Sequence, residues 1–271
     1  MITLAISSLK GGVGKTTCAI NLAFSFAKRG WKTLLVDADP QGSVGLSLSP
    51  SAQTYIGLYE MLNANVPIEQ AALKTKIETL KIIMAGKIPT GEISKWCASL
   101  QDGKLLQPFF RVATEAAYNI IILDTPSGLH GPTEGILRNV SHVLVPQQCE
   151  PLALRSLMLT VDFLNQLQTN DDSGCSLVGV VLTMSDQNVE ETKQIVEEIK
   201  RILPPELVCS ALLPRDPAII HASMKGMPLG LLRGGAPPPI ALIFDQLAAE
   251  LESKLDLHKP EQSDEYVSLV V

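Results

Sequence analysis

The sequence predicts an α/β fold, a mostly parallel, twisted sheet flanked by helices. Three observations predict it. Strand-like and helix-like segments alternate along the chain, as in successive β-α-β units. Composition is 46% hydrophobic but only 4% aromatic, and Ala, Val, Ile and Leu in such excess suit a sheet buried on both faces. At the N-terminus an apolar run, a glycine-rich turn and a helical pattern follow one another, which is how such a sheet begins. A chain of 271 residues fits one large α/β domain, assigned to residues 1–257. Residues 258–271 lose periodicity and read as a loose, flexible tail.

The elements follow in order. Residues 2–6 (ITLAI) are apolar throughout and form the first strand, and residues 16–28 the first helix. KTLLVD at 32–37 is the second strand. Short helices are predicted over 55–63 and 68–74, then a strand over 80–85. Residues 102–117 have helical spacing and run into the strand 119–124. A buried strand at 143–145 precedes a long helix over 152–167, where apolar residues recur three and four apart. A strand at 177–183, an amphipathic helix at 189–202, a last strand at 208–213 and a helix at 240–255, entered through Pro237-Pro238-Pro239, complete the pattern.

Bulk chemistry narrows the function. The formal net charge is −6, so the chain is no general nucleic-acid coater, and any DNA contact needs a local patch. The five cysteines (Cys18, Cys97, Cys149, Cys175, Cys209) are scattered, odd in number and without a C-x-x-C pair, which fits a reduced, cytosolic protein. No basic segment precedes the first strand, so no signal peptide is expected. The apolar run 120–123 is too short for a bilayer.

The chemistry concentrates at three strand ends, where ligands of open α/β sheets bind. The first is Lys10-Gly11-Gly12-Val13-Gly14-Lys15-Thr16-Thr17. Glycines let backbone N–H groups turn inward, and the helix N-terminus adds partial positive charge, so the segment reads as a phosphate-binding loop. Lys15 can reach the β- and γ-phosphates, and Thr16 can offer its hydroxyl to Mg²⁺. The second is Asp37-Ala38-Asp39-Pro40-Gln41-Gly42, two carboxylates one residue apart, suited to Mg²⁺ and water although a solvated turn would look alike. The third is the apolar strand ending in Asp124, a Walker B signal. His130, just beyond it, reads as a solvated loop histidine.

The octet departs from the general phosphate loop. Leu9 stands where its first glycine belongs, and Lys10 opens the loop. KGGVGKTT resembles the deviant Walker A loop of the ParA/MinD family of P-loop ATPases, closest to its ParA-type partition and positioning members. DADPQG is similar to the family's DxDPQG segment, where the second Asp positions the attacking water. The resemblance thus implies Asp39 as the water-activating residue, with Asp37 beside the metal and Asp124 facing it. Asp124-Thr125-Pro126-Ser127-Gly128 resembles the family's second switch with one proline missing. Val145-Pro146-Gln147-Gln148-Cys149-Glu150-Pro151-Leu152-Ala153-Leu154 is similar to the family's strand ending in P-x-Q-x-E followed by a helix, which implies Glu150 near a ribose. Leu182-Thr183-Met184-Ser185-Asp186 is similar to the family's L-T-M-x-D strand end that lines the adenine, and Leu213-Pro214-Arg215-Asp216 with 224–228 to its base-side loop and following helix. That implies Thr183, Met184, Pro214, Arg215 and Asp216 around the base. The resemblance runs from residue 1 to about 255, weakest over 87–104.

The resemblance implies an ATPase with ATP/ADP and Mg²⁺ as cofactors and slow basal turnover. It also implies a homodimer sandwiching ATP, with Lys10 crossing to the partner's nucleotide. In its partition branch, ATP dimers bind DNA without sequence preference, and a ParB-like or cargo-adaptor partner stimulates hydrolysis. The location expected is the cytoplasm, on the nucleoid in the ATP state. Lys193, Lys200, Arg201, Arg215, Lys225 and Arg233 could form the DNA patch, although a solvated helix face paired with glutamates explains the first three as well. Two other readings stay open. A MinD-like membrane cycler would need a basic amphipathic C-terminal helix, and the tail is acidic before its apolar end, so no membrane partner is expected. A metabolic enzyme of the same fold, a reductase or a synthetase, would need cluster cysteines or a substrate pocket.

Overall fold

The computed structural model describes residues 1–48, 54–171, 174–186, 188–232 and 237–257. Its centre explains the rest. β5 (Ile120–Asp124) is buried at every position because both faces are covered. Ile120 and Ile122 enter one core, and Ile121 and Leu123 enter the other, the two-residue period of a strand. β1 (Ile2–Ile6) pairs with β5 in parallel register, Ile2 opposite Ile120 through Ile6 opposite Asp124. β2 (Thr33–Asp37) pairs on its other side, ending with Asp37 opposite Asp124. Three strands thus bring their carboxyl ends to one level.

β3 (Ala72–Lys74), β4 (Leu80–Ile83), β6 (His142–Gln148), β7 (Ser176–Ser185) and β8 (Val208–Pro214) complete an eight-stranded sheet of order β3-β4-β2-β5-β1-β6-β7-β8. All neighbours are parallel except β3 and β4. β1 lies between β5 and β6, and the chain leaves it through α1 (Lys15–Lys28) toward β2. Strand order reverses there, which opens a crevice at the end of β1. α1, α10 (Pro217–Met224) and α11 (Pro239–Lys254) cover one face around Phe26, Leu22, Phe244 and Leu247. α3 (Leu58–Asn63), α5 (Ile93–Gln101), α6 (Leu106–Glu115), α7 (Pro132–Leu137), α8 (Ala153–Asp171) and α9 (Glu190–Ile202) cover the other.

Several elements differ from the sequence reading. The helix expected over 68–74 stops at α4 (Ile68–Ala71), and 72–74 become β3, antiparallel to β4. The open edge of β4 offers unpaired backbone groups, and pairing with them outweighs a weak local helix signal. The helix expected from residue 102 starts at Leu106, because Gly103 takes φ +74 and a Cβ there would sit 2.2 Å from Asn139 Nδ2. α5 was not predicted. α2 (Ser43–Leu48) and α7 were also missed, since at six residues each they are too short for periodicity to show. The strand placed at 143–145 extends over 142–148, because it pairs with both β1 and β7. The tail 258–271 lies outside the described residues.

Candidate functional site

The loop between β1 and α1 owes its shape to two glycines. Gly12 and Gly14 take φ +75 and +94, a region closed to most side chains. Gly14 is the N-cap of α1, and no side chain caps that end, which leaves a helix N-terminus aimed into the crevice and suited to an anion. The Lys15 side chain is folded back into the loop. Its ammonium donates to Ser127 Oγ at 3.0 Å and weakly to the Lys10 carbonyl at 3.4 Å. Burial lowers the Lys15 pKa, while Asp124 and Asp39 pull it back up. A desolvated cation with only neutral acceptors is poised for a stronger, anionic one.

Two buried carboxyls face this loop. Thr16 Oγ1 donates to Asp124 Oδ2 at 2.7 Å, while Asp124 Oδ1 is buried with no hydrogen-bond partner among the described residues. Burial pushes the Asp124 carboxyl up to about 7, helped by the Asp39 charge and opposed by the Thr16 hydroxyl and Lys15. Asp37 is pushed up to about 8, first by burial and next by the like charge of Asp124. Asp37 Oδ2 accepts from the backbone N–H of Val44 at 3.0 Å and Gly45 at 3.3 Å, capping α2. An orphaned carboxylate oxygen beside a threonine hydroxyl, between two acids short of positive charge, fits a divalent cation. Thr16 and Asp124 would hold it together with phosphate and water oxygens, and Asp37 lies just behind them.

Asp39 is half-buried at the mouth. Its Oδ1 accepts from Gln41 N at 2.9 Å and its Oδ2 from Ser43 Oγ at 3.3 Å, so the carboxylate is oriented from its own turn. Lys10 behaves unlike Lys15. Its amine turns outward and pairs with Glu150 Oε1 across 140 residues of sequence. The two side chains are 30% and 32% exposed, and surface pairs of this kind contribute at most about 1 kcal/mol. The tether is easily exchanged.

The base-side residues meet at neighbouring strand ends. Thr183 pairs with Leu213 and Ser185 with Pro214, which sets Met184 beside the 214–216 turn. Thr183 Oγ1 donates to the Val13 carbonyl at 2.9 Å, tying β7 to the phosphate loop. Met184 holds φ +52, a left-handed conformation uncommon for its type and frequent at functional turns. Asp216 caps α10 by accepting from Ala218 N at 2.7 Å. Arg215 is exposed.

The basic residues do not form one patch. α9 covers one face of the sheet and α10 the other, so Lys193, Lys200 and Arg201 are separated from Arg215 and Lys225. Lys193 and Lys200 pair with Glu190 and Glu197 at 3.4 and 3.3 Å. Arg233 lies outside the described residues. Two serines join the site: Ser127, which the sequence marked only as part of the second-switch segment, and Ser43, which it passed over. The missing proline at 127 was the available signal for the first, and nothing in sequence marked the second. Cys97 sits close enough to Asp39 to feel its charge, and no cluster of three or more His, Cys, Asp or Glu able to hold a metal occurs among the described residues. No helix among them is long and apolar enough to cross a membrane.

Known proteins resemble this chain in sequence and fold. A family model described as an AAA domain matches residues 1–176. The chromosome partitioning protein ParA of Caulobacter vibrioides is 32% identical over 229 residues, 83% of this chain and 85% of that protein. The sporulation initiation inhibitor protein Soj of Bacillus subtilis is 29% identical over 259 residues, 94% of this chain and 96% of that protein. The solved structure of Cyanothece apo McdA superposes with a TM-score of 0.76 at 20% identity, covering 93% of this chain and 99% of that one, a likeness of fold.

Proposed function

We propose a function from one premise: the chain belongs to the ParA/MinD family of P-loop ATPases, matched over most of its length by ParA and Soj proteins. It acts as a ParA-like positioning ATPase, hydrolysing ATP to ADP and phosphate and using the cycle to segregate or space a cargo. The observation that carries this reading is the outward Lys10. One loop bears two lysines with opposite tasks, Lys15 buried within its own phosphate site and Lys10 held at the lip by a weak, half-exposed pair with Glu150.

The residues divide the work. Loop amides from Gly11 to Thr17 and the end of α1 bind the phosphates, and Lys15 leaves Ser127 to take phosphate oxygens. Thr16 and Asp124 would hold the Mg²⁺ of Mg²⁺-ATP, which would supply positive charge against the phosphates. Asp39, oriented by Gln41 and Ser43, fixes the attacking water in line. The pocket formed by Thr183, Met184 and the 214–216 turn takes the base. When two ATP-loaded copies meet, Lys10 exchanges Glu150 for the partner's nucleotide and adds charge at the transition state, as an arginine finger does. Glu150, released, is placed for a ribose hydroxyl. Turnover is slow until a cargo adaptor engages the dimer, and the ATP dimer binds DNA through backbone electrostatics.

Size-exclusion chromatography with ATP and with ADP tests the reading. A dimer should form with ATP and not with ADP, and Lys10→Ala should remain monomeric. A dimer independent of nucleotide, or one untouched by Lys10→Ala, would refute it. DNA retention should require ATP and fall steeply with salt.

A further inference from the structure

Away from the nucleotide crevice, the α1 face of the sheet carries an apolar groove of about 390 Å³. Leu35 of β2 with Leu80 and Ile82 of β4 form its floor. Ile20 and Phe24 of α1 form one wall, and the 225–231 segment after α10 forms the other. That second wall is fixed to the first. Leu229 N donates to Asn21 Oδ1 at 2.8 Å, and a Cβ on Gly230 would come within 2.2 Å of the Phe24 ring. Ile77 closes the end farthest from the crevice, and Leu231 on the rim is exposed. The charged lining residues are Lys76 and Lys225, both exposed and without an ion pair among the described residues, and no acid joins them.

We infer that this groove seats the chain's own tail, with Tyr266-Val267-Ser268-Leu269-Val270-Val271 in the groove and Glu261, Asp264 and Glu265 against its lysines. The chemistry matches along the segment. The tail is acidic and then apolar, and the groove is apolar with a basic rim, so burial and charge favour the same placement. The reach is sufficient. Leu257, the last described residue, packs on the core that forms the groove floor. Just before it, Glu252 holds Arg29 and Trp31 at the end of α1, and Thr79 Oγ1 donates to the Ala27 carbonyl at 2.7 Å from the groove side. Leu257 and the groove mouth at Ile77 therefore flank the end of α1, separated by the width of one helix, about 10–12 Å. Residues 258–265 can span about 26–29 Å when extended. β4 is already paired on both sides, with β2 and β3, so the tail contributes side chains rather than a further ladder. A segment on the same chain meets its seat at an effective concentration on the order of millimolar, which fills even a weak site ahead of a free partner. Once filled, the groove holds the 225–231 wall, and α10 before it, against α1.

The test is photo-crosslinking in the whole chain, with Tyr266→p-benzoylphenylalanine as the probe and mass spectrometry to map the links. Links should form within one chain and fall on Phe24, Ile77, Met227, Leu231 or their immediate neighbours. Leu269→Asp, a change confined to the tail, should cut their yield roughly tenfold or more, since a carboxylate resists an apolar seat. Lys76→Glu with Lys225→Glu should cut it by roughly twofold to tenfold, the effect of reversing two exposed charge partners. Both lysines are exposed, so the fold tolerates that change. A mixture of isotopically heavy and light chains separates the remaining outcomes. Heavy-to-light links would assign the tail to a second copy, and links on another face, or none, would leave the groove to a separate partner. Each of these, or a yield unmoved by Leu269→Asp, would overturn the inference. None of them bears on the ATPase reading.

Discussion

The proposed phosphate end and the proposed base end of the crevice are built by different means. At the phosphate end, function rests on buried charge. Lys15, Asp37 and Asp124 sit out of water, and burial moves each of them toward its neutral form. At the base end it rests on backbone shape. Thr183 is bonded to the Val13 carbonyl, Met184 turns the chain at φ +52, and Asp216 spends its carboxylate on capping α10. Under the proposed function the contrast follows the ligand. Phosphates and a divalent cation demand matched charges, which few residue types supply. A flat, neutral ring needs mainly a slot of the right width, which many side chains can line.

This contrast can be broken by substitution. Lys10→Ala should reduce hydrolysis most, by about 10³–10⁵ if its charge acts as an arginine finger does, with ADP binding to the single chain unchanged. Steady-state turnover beside ADP affinity measures both. Asp39→Ala should lower hydrolysis by about 10²–10⁴, the usual range for a group that handles the attacking water. ATP binding should survive, so ATP dimers should accumulate. Loss of ATP binding in that variant would place Asp39 in the binding set instead.

A pH series sharpens the comparison. Asp37 and Asp124 titrate near 8 and 7 when folded but near 4 when unfolded. The folded state then binds more protons between these limits, and stability falls as pH rises. The nucleotide-free protein should therefore melt lower at pH 8.5 than at pH 5.5 (both values chosen from about 4 to just past 8). Mg²⁺-ATP should flatten the slope by favouring the charged carboxylates. A melting temperature that rises over this range would show these two carboxyls to be ionised in the fold.

At the base end effects should be smaller. Asp216→Ala removes the cap of α10 and should cost about 1 kcal/mol, seen as a lowered melting temperature with phosphate affinity nearly unchanged. Smallest of all, Lys193→Gln with Lys200→Gln removes exposed pairs and should alter stability by less than about 0.5 kcal/mol. Any larger loss, confined to DNA binding, would return α9 to the contact surface.

Legibility in the sequence followed the same division. The octet at 10–17, the carboxylates at 37, 39 and 124, and the central strands could be read directly, because glycine, lysine and aspartate at fixed spacing are nearly irreplaceable around phosphate. The base-side residues came through resemblance alone; by themselves they are ordinary strand ends. The edge strand at 72–74 was misread, since its state depends on a partner, β4, and not on its own pattern.

What the sequence determined by itself was the local chemistry: which loop is suited to an anion, which acids stand at strand ends, and that the sheet is mostly parallel and buried. Tertiary structure decided the pairings. Lys10 meets Glu150 and Lys15 meets Ser127 across 140 and 112 residues. The same folding splits the basic residues between two faces. Such contacts depend on strand order and loop placement, and these are set by the packing of the whole sheet rather than by any segment's own preference.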